Sequence, residues 1–193
     1  MTAAITDHFP LRQGRAHEVY GVGAYGFACA LAGQLGGNVM WIREDWQSEL
    51  LNPEGFLPFF DPRKLLFAKG QSQVDVLASG EEALRSGAVN LTVMELSKPI
   101  GLTEGRRLQL AAEAGKSTGL CIISEGMGSN AAESRWRCAP IFDPADSTLI
   151  RWEIIKNKSG TLTRWDLRWD AETRRITVVS KAGQRPAPAH ARG

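Results

Sequence analysis

Residues 18–28 read EVYGVGAYGFA, a short strand running into a glycine-rich turn and then into an apolar stretch. The frame is G-x-x-x-x-G-K-[ST], in which backbone N–H groups cradle phosphates, the lysine meets the terminal phosphates and the hydroxyl anchors magnesium. Gly21 and Gly26 occupy the two fixed glycines, but Phe27 stands at the lysine position and Ala28 at the hydroxyl position. A phenyl ring brings neither charge nor donor, and a methyl group cannot ligate a metal. The loop therefore lacks both groups that drive phosphoryl transfer. Backbone amides over residues 23–27, aligned with a helix dipole, could still hold an anion. The expectation is no catalytic residue and no cofactor.

Other chemistry-bearing residues are scattered. Glu95 closes the apolar run LTVME, and Asp45 follows VMWIR. A strand-end acid of this kind is expected to be a solvated or salt-bridged surface group. Lys156 and Lys158 flank Asn157 at an expected hairpin tip, as a solvated turn or a subunit contact. In Glu133-Ser134-Arg135-Trp136-Arg137 a tryptophan sits between two arginines, residue types that anchor interfaces or stack on bases. The competing expectation is Trp136 buried against a sheet with Arg135 and Arg137 reaching outward. His8, His17 and His190 lie apart from one another and from the cysteines, so no metal site is expected.

These residues need elements to position them. Residues 18–20 read as a strand. A helix then starts at Phe27 and ends at Gly36 and Gly37. Apolar strands follow at 39–43, 65–68, 91–95 and 120–124, with helical spacing over 71–87 and 104–114, the latter capped by Thr103. Alternation of strand and helix predicts an α/β fold with a mainly parallel sheet covered by helices on both faces. From residue 149 the pattern changes. LIRWEII, TRWDLRWD and RITVVS are closely spaced strands joined by turn-rich NKSG and DAET, an antiparallel meander extending the sheet. Trp165, Leu167 and Trp169 alternate with charged residues, so that strand is half exposed. Residues 1–181 are expected to form one domain and the Ala-, Pro- and Arg-rich residues 182–193 a disordered tail.

Composition narrows the function classes. A net charge of +2 on 193 residues argues against a dedicated nucleic-acid coat or a polybasic membrane binder. The three cysteines, Cys29, Cys121 and Cys138, are far apart among apolar residues and read as buried thiols of a reducing cytoplasm. There is no basic stretch leading into an apolar one near the start and no long apolar run, so neither secretion nor membrane spanning is expected.

At three separated places the chain resembles the ATPase core of RecA. PLRQGRAHEVYG (10–21) is similar to the segment leading into the first core strand and P-loop. EEALRSGAVNLTVMEL (81–96) is similar to the helix, turn and strand bearing the Walker B acid, and WEIIKNKSG (152–160) to a strand end facing a neighbouring subunit's nucleotide. The resemblance implies that Glu95 stands at the Walker B position and Asp45 at the catalytic glutamate. Glu125 then falls at the nucleotide-sensing glutamine, where an acid would repel a γ-phosphate. The connections SKPIGLT and EGMGSNAAESRW are short where RecA holds DNA, and no counterpart of its polymerising helix or large C-terminal domain is expected. A shortened core with a ruined P-loop and an E-S-R-W segment resembles the ImuA family. That resemblance implies a non-catalytic cytoplasmic adaptor, nucleoid-associated during DNA damage. It would act in translesion synthesis with an ImuB-type polymerase-like protein and an error-prone replicative-type polymerase. Weak single-stranded DNA binding and self-association stay open. The alternatives are a SulA-type division inhibitor and a residual ATP-binding paralogue whose site is completed by Lys156 and Lys158 of a neighbouring subunit.

Overall fold

The computed structural model describes residues 4–49 and 51–180. Nine strands form one sheet: β1 (Ala16–Tyr20), β2 (Val39–Glu44), β3 (Leu65–Gly70), β4 (Leu91–Glu95), β5 (Thr118–Ile122), β6 (Ser134–Pro140), β7 (Leu149–Asn157), β8 (Thr163–Asp170) and β9 (Arg175–Ser180). Their order across the sheet is β3-β2-β4-β5-β1-β6-β7-β8-β9. From β3 to β6 every neighbour is parallel, and from β6 to β9 every neighbour is antiparallel. The meander is thus attached to the parallel part through β6. The expected tail, 182–193, lies outside the described residues.

Three α-helices cover the sheet: α1 (Ala24–Leu35) on one face, α2 (Gln73–Ser86) and α3 (Leu102–Gly115) on the other. Because both faces are covered, β1, β4 and β5 are buried at every position, which accounts for the mainly apolar runs of β4 and β5 and obliges His17 and Glu18 of β1 to find partners. On the α1 face, Phe27 and Leu31 pack with Trp41, Trp136, Trp152 and Trp165. On the opposite face, Val76, Leu84 and Leu108 pack with Ile42, Met94 and Cys121. The three thiols are free and buried, and burial raises each of them, that of Cys29 to about 12.

The structure corrects three boundaries. Helix α1 starts at Ala24 rather than Phe27. Helix α3 takes Gly101 as its N-cap, which leaves Thr103 inside the first turn. Among the described residues between β2 and β3, two short 3-10 turns, Pro53–Phe56 and Pro62–Lys64, make the crossover. The segment 134–140, expected as the end of a connection, is strand β6. Its polar Ser-Arg-Trp-Arg start hid the strand, because the arginines have partners on a face that strand periodicity alone reads as solvent.

His17 on β1 ties the sheet to the N-terminal segment. Its Nε2–H donates to the Arg12 carbonyl at 3.0 Å, so Nδ1 accepts from the Ser134 hydroxyl at 2.7 Å. Ser134 Oγ in turn accepts the Trp136 indole N–H at 2.9 Å. Burial favours the neutral imidazole, in which one ring nitrogen donates and the other accepts. Burial pulls its pKa from 6.5 down to about 4. Between those values the unfolded chain binds a proton that the native state refuses. The stabilisation is therefore whole above about pH 6.5 and is lost as pH falls toward 4, by about 3 kcal/mol in all. Urea melts at pH 7 and near pH 4 should show this loss, and His17→Gln should flatten the pH dependence by most of that amount.

Candidate functional site: a phosphate loop filled by its own side chains

The loop after β1 is pressed onto β6. Gly21 has φ +98, and a Cβ there would lie 2.3 Å from the Cys138 carbonyl oxygen, so only glycine fits. The Gly23 N–H donates to that same carbonyl at 3.1 Å, and the Ala24 N–H donates to the Gly21 carbonyl at 3.0 Å. The Phe27 N–H closes the first helical turn on the Gly23 carbonyl at 3.0 Å. Three amides of the expected anion cradle are thus committed to protein carbonyls. Gly26, by contrast, has open space where its Cβ would be. The second fixed glycine keeps no steric role.

Phe27 has turned inward. Its ring centroid lies 5.4 Å from Phe9, 5.2 Å from Trp136 and 4.6 Å from Trp152, and the residue is fully buried, as is Ala28. The position that would carry the lysine is now the middle of an aromatic cluster between α1 and the sheet. Such pairs add about 0.5–1.5 kcal/mol each beyond the area they bury.

Glu95, at the end of β4, is buried rather than at the surface as expected, and it is salt-bridged. Its Oε1 accepts the Trp41 indole N–H at 2.6 Å. Its Oε2 accepts the Tyr25 hydroxyl at 2.7 Å and an Arg43 Nη2–H at 2.9 Å. Tyr25 comes from the glycine loop itself, and its ring stacks on Trp41 at 5.9 Å. Burial first, then the hydrogen bond to Glu95, pushes the Tyr25 hydroxyl well above the usual phenol range, so it stays a donor. Arg43 is also held by Gln47 Oε1 at 2.6 Å and the Glu49 carbonyl at 2.8 Å. A metal at Glu95 would have to displace an arginine, a tyrosine and a tryptophan together. Tyr25, Trp41 and Arg43 escaped sequence reasoning; the usable signal was an arginine ending the apolar run VMWIR.

A cleft of about 890 Å³ remains open above these strand ends, with Glu95, Glu125, Arg43 and Arg137 among its walls. Of the expected site residues, Gly21, Glu95, Glu125 and Arg137 meet there. Asp45 does not: it is exposed in the turn after β2, held through its backbone N–H to the Gly70 carbonyl at 2.8 Å. The expected interface segment splits along β6. Trp136 is buried and stacked near Trp165. Arg135 does not reach outward but pairs with buried Glu18 at 2.7 Å and donates to the Ser129 carbonyl at 2.8 Å. Arg137 alone faces the cleft, paired with Glu153. Lys156 is part of β7 rather than a hairpin tip, and its ammonium donates to the Ala132 carbonyl. Burial, the largest influence, lowers its pKa. Lys158, just beyond β7, is half exposed, 3.9 Å from Glu133.

Two substitutions probe the arrangement. Glu95→Ala leaves the Arg43 guanidinium buried beside a void and should cost about 3–5 kcal/mol in urea unfolding, the penalty for breaking a buried pair from one side. Phe27→Lys writes the missing cation back into the motif but places an ammonium among aromatic rings. It should lower stability by about 3–5 kcal/mol without conferring ATP binding, as read by melts and titration calorimetry.

No protein-family model matches the chain. Protein ImuA of Caulobacter vibrioides, in strains NA1000 / CB15N and ATCC 19089 / CIP 103742 / CB 15, is 31% identical over 177 residues, covering 82% of this chain and 67% of the relative. The crystal structure of the RadB recombinase matches with a TM-score of 0.66 at 14% identity, over 88% of this chain and 92% of that one, a likeness of fold. The fold is RecA-like: parallel strands under helices, with the antiparallel extension at β7–β9. On the ImuA identity and its coverage of both chains, the chain belongs to the ImuA family.

Proposed function

We propose that the chain is a non-catalytic RecA-like adaptor in damage-induced translesion DNA synthesis, recruiting an ImuB-type polymerase-like protein and an error-prone polymerase. One observation carries the reading. The carboxylate at the metal-binding position, Glu95, has its hydrogen bonds filled by Trp41, Arg43 and the loop's own Tyr25. A transducing site keeps such a carboxylate free for magnesium and a lysine free for the terminal phosphates. In this chain the lysine position is buried in the aromatic core and the acid is part of a closed network. What such a fold retains for biology is its surface. Family membership supports the mutagenesis setting, and the anchoring of Lys156 to Ala132 weighs against its completing a neighbour's nucleotide site. Among the described residues no helix is long and apolar enough to cross a membrane.

Purified protein should hydrolyse no ATP, with or without single-stranded DNA, and should give no heat on titration with ATP and magnesium. It should co-purify with an ImuB-type partner. Steady turnover, or clean failure of that capture, would each count against the adaptor reading.

A further inference from the structure

On the sheet face opposite α1, a second opening of about 830 Å³ lies between the N-terminal ends of α2 and α3 and the turn after β2. Its floor and rim are apolar: Leu77 and Ile100 are partly covered, while Val74 and Trp46 are 73% and 64% exposed. β-strand alternation sends Ile42 into the core beneath α2 and brings Glu44, two residues on, to the wall of this groove. Glu44 is 5% exposed, and its Oε2 is buried without a hydrogen-bond partner. A carboxylate withdrawn from water with an oxygen unfilled is an expense the fold does not need for packing, because an apolar side chain would serve there at no such cost.

The surrounding charges define what would fill it. Glu81 is already paired with Arg85 and with Arg107, the latter at 2.8 Å. Glu104 and Lys98 also line the groove with no ion pair among the described residues, so the lining carries three acids, Glu44, Glu81 and Glu104, against two bases, Lys98 and Arg107. The N-terminus of α2 is closed by its own Ser72–Asp75 capping box and offers no free end to an anion.

We propose that this groove docks a basic amphipathic segment of a partner protein. Its apolar side chains lie on Trp46, Val74, Leu77 and Ile100, and one lysine or arginine donates to Glu44. The mode is that of apolar anchors at helical or extended spacing held by a single buried charge pair. This deepens the adaptor reading and rests on it for the class of occupant. The groove adjoins the cleft above Glu95 at Trp46 and Ser97 but is walled by the other face of the strand: successive residues of β2, Arg43 and Glu44, serve the two openings.

The test is panning a phage-displayed library of random peptides against the full chain, followed by affinity measurement on synthetic copies of the enriched sequences. The expected outcome is enrichment of peptides with Lys or Arg spaced among apolar residues. Binding should fall by about tenfold or more for Glu44→Gln and for Val74→Lys, the latter an exposed helical position that leaves the fold intact. Glu44→Gln should at the same time raise the melting temperature of the free protein, which a purely structural carboxylate would not do. Enrichment of acidic or uncharged peptides, no enrichment, or equal binding by both variants would overturn the proposal. So would self-association abolished by Val74→Lys, or tight binding of a peptide copying residues 181–193, since either names a different occupant. Capture of an ImuB-type partner undiminished by Val74→Lys sinks the groove and spares the adaptor; selected peptides without any such capture do the reverse.

Discussion

The carboxylate of Glu95 cannot be left alone. It sits at the end of a central strand, out of water, and a buried anion demands donors. Trp41 and Arg43 supply them from β2, the strand next door, and Tyr25 supplies the third from the first turn of α1. The same first turn of α1 that presents Tyr25 to Glu95 carries Phe27 into the core. The ring then becomes the meeting point of Phe9, Trp136 and Trp152, which ties the N-terminal segment and the antiparallel extension to the parallel sheet. The position that carries the lysine in the full motif is here a structural joint.

The remaining polar interior follows the same logic of paired or neutral groups. Glu18 accepts from Arg135 and from the Ser129 backbone. His17 stays uncharged between Arg12 and Ser134. These groups line the β1–β6 seam, where a parallel strand without a crossover helix must be held by side chains as well as by its ladder. The approach of Gly128 to Arg135 shows how tightly that seam is closed: a Cβ on the glycine would fall 1.8 Å from the guanidinium carbon.

Much of this could be read from residue order. The apolar runs of β2, β4 and β5, the spacing in α2 and α3, and the turn-rich meander fixed an α/β sheet with an antiparallel end, because burial on both faces leaves a strong periodic imprint. That the motif lacks its lysine and its hydroxyl was legible too, from Phe27 and Ala28 alone. What stayed hidden was tertiary. That Tyr25 would reach Glu95 across seventy residues, that Arg135 would find Glu18, and that Lys156 would be held against Ala132 depend on strand register, which pattern does not give. Strand β6 was missed for the same reason, its arginines reading as surface until their partners are known.

The distribution of indoles has a practical corollary. Trp41, Trp136, Trp152 and Trp165 are sealed in the interior and Trp169 is partly covered by Phe59, whereas Trp46 stands in solvent at the rim of both openings. Ultraviolet emission from this chain therefore mixes a blue, rigid component with a red, water-relaxed one. The first reports whether the polypeptide is folded, and the second whether anything has settled over the strand ends, so the molecule carries two optical gauges without a label.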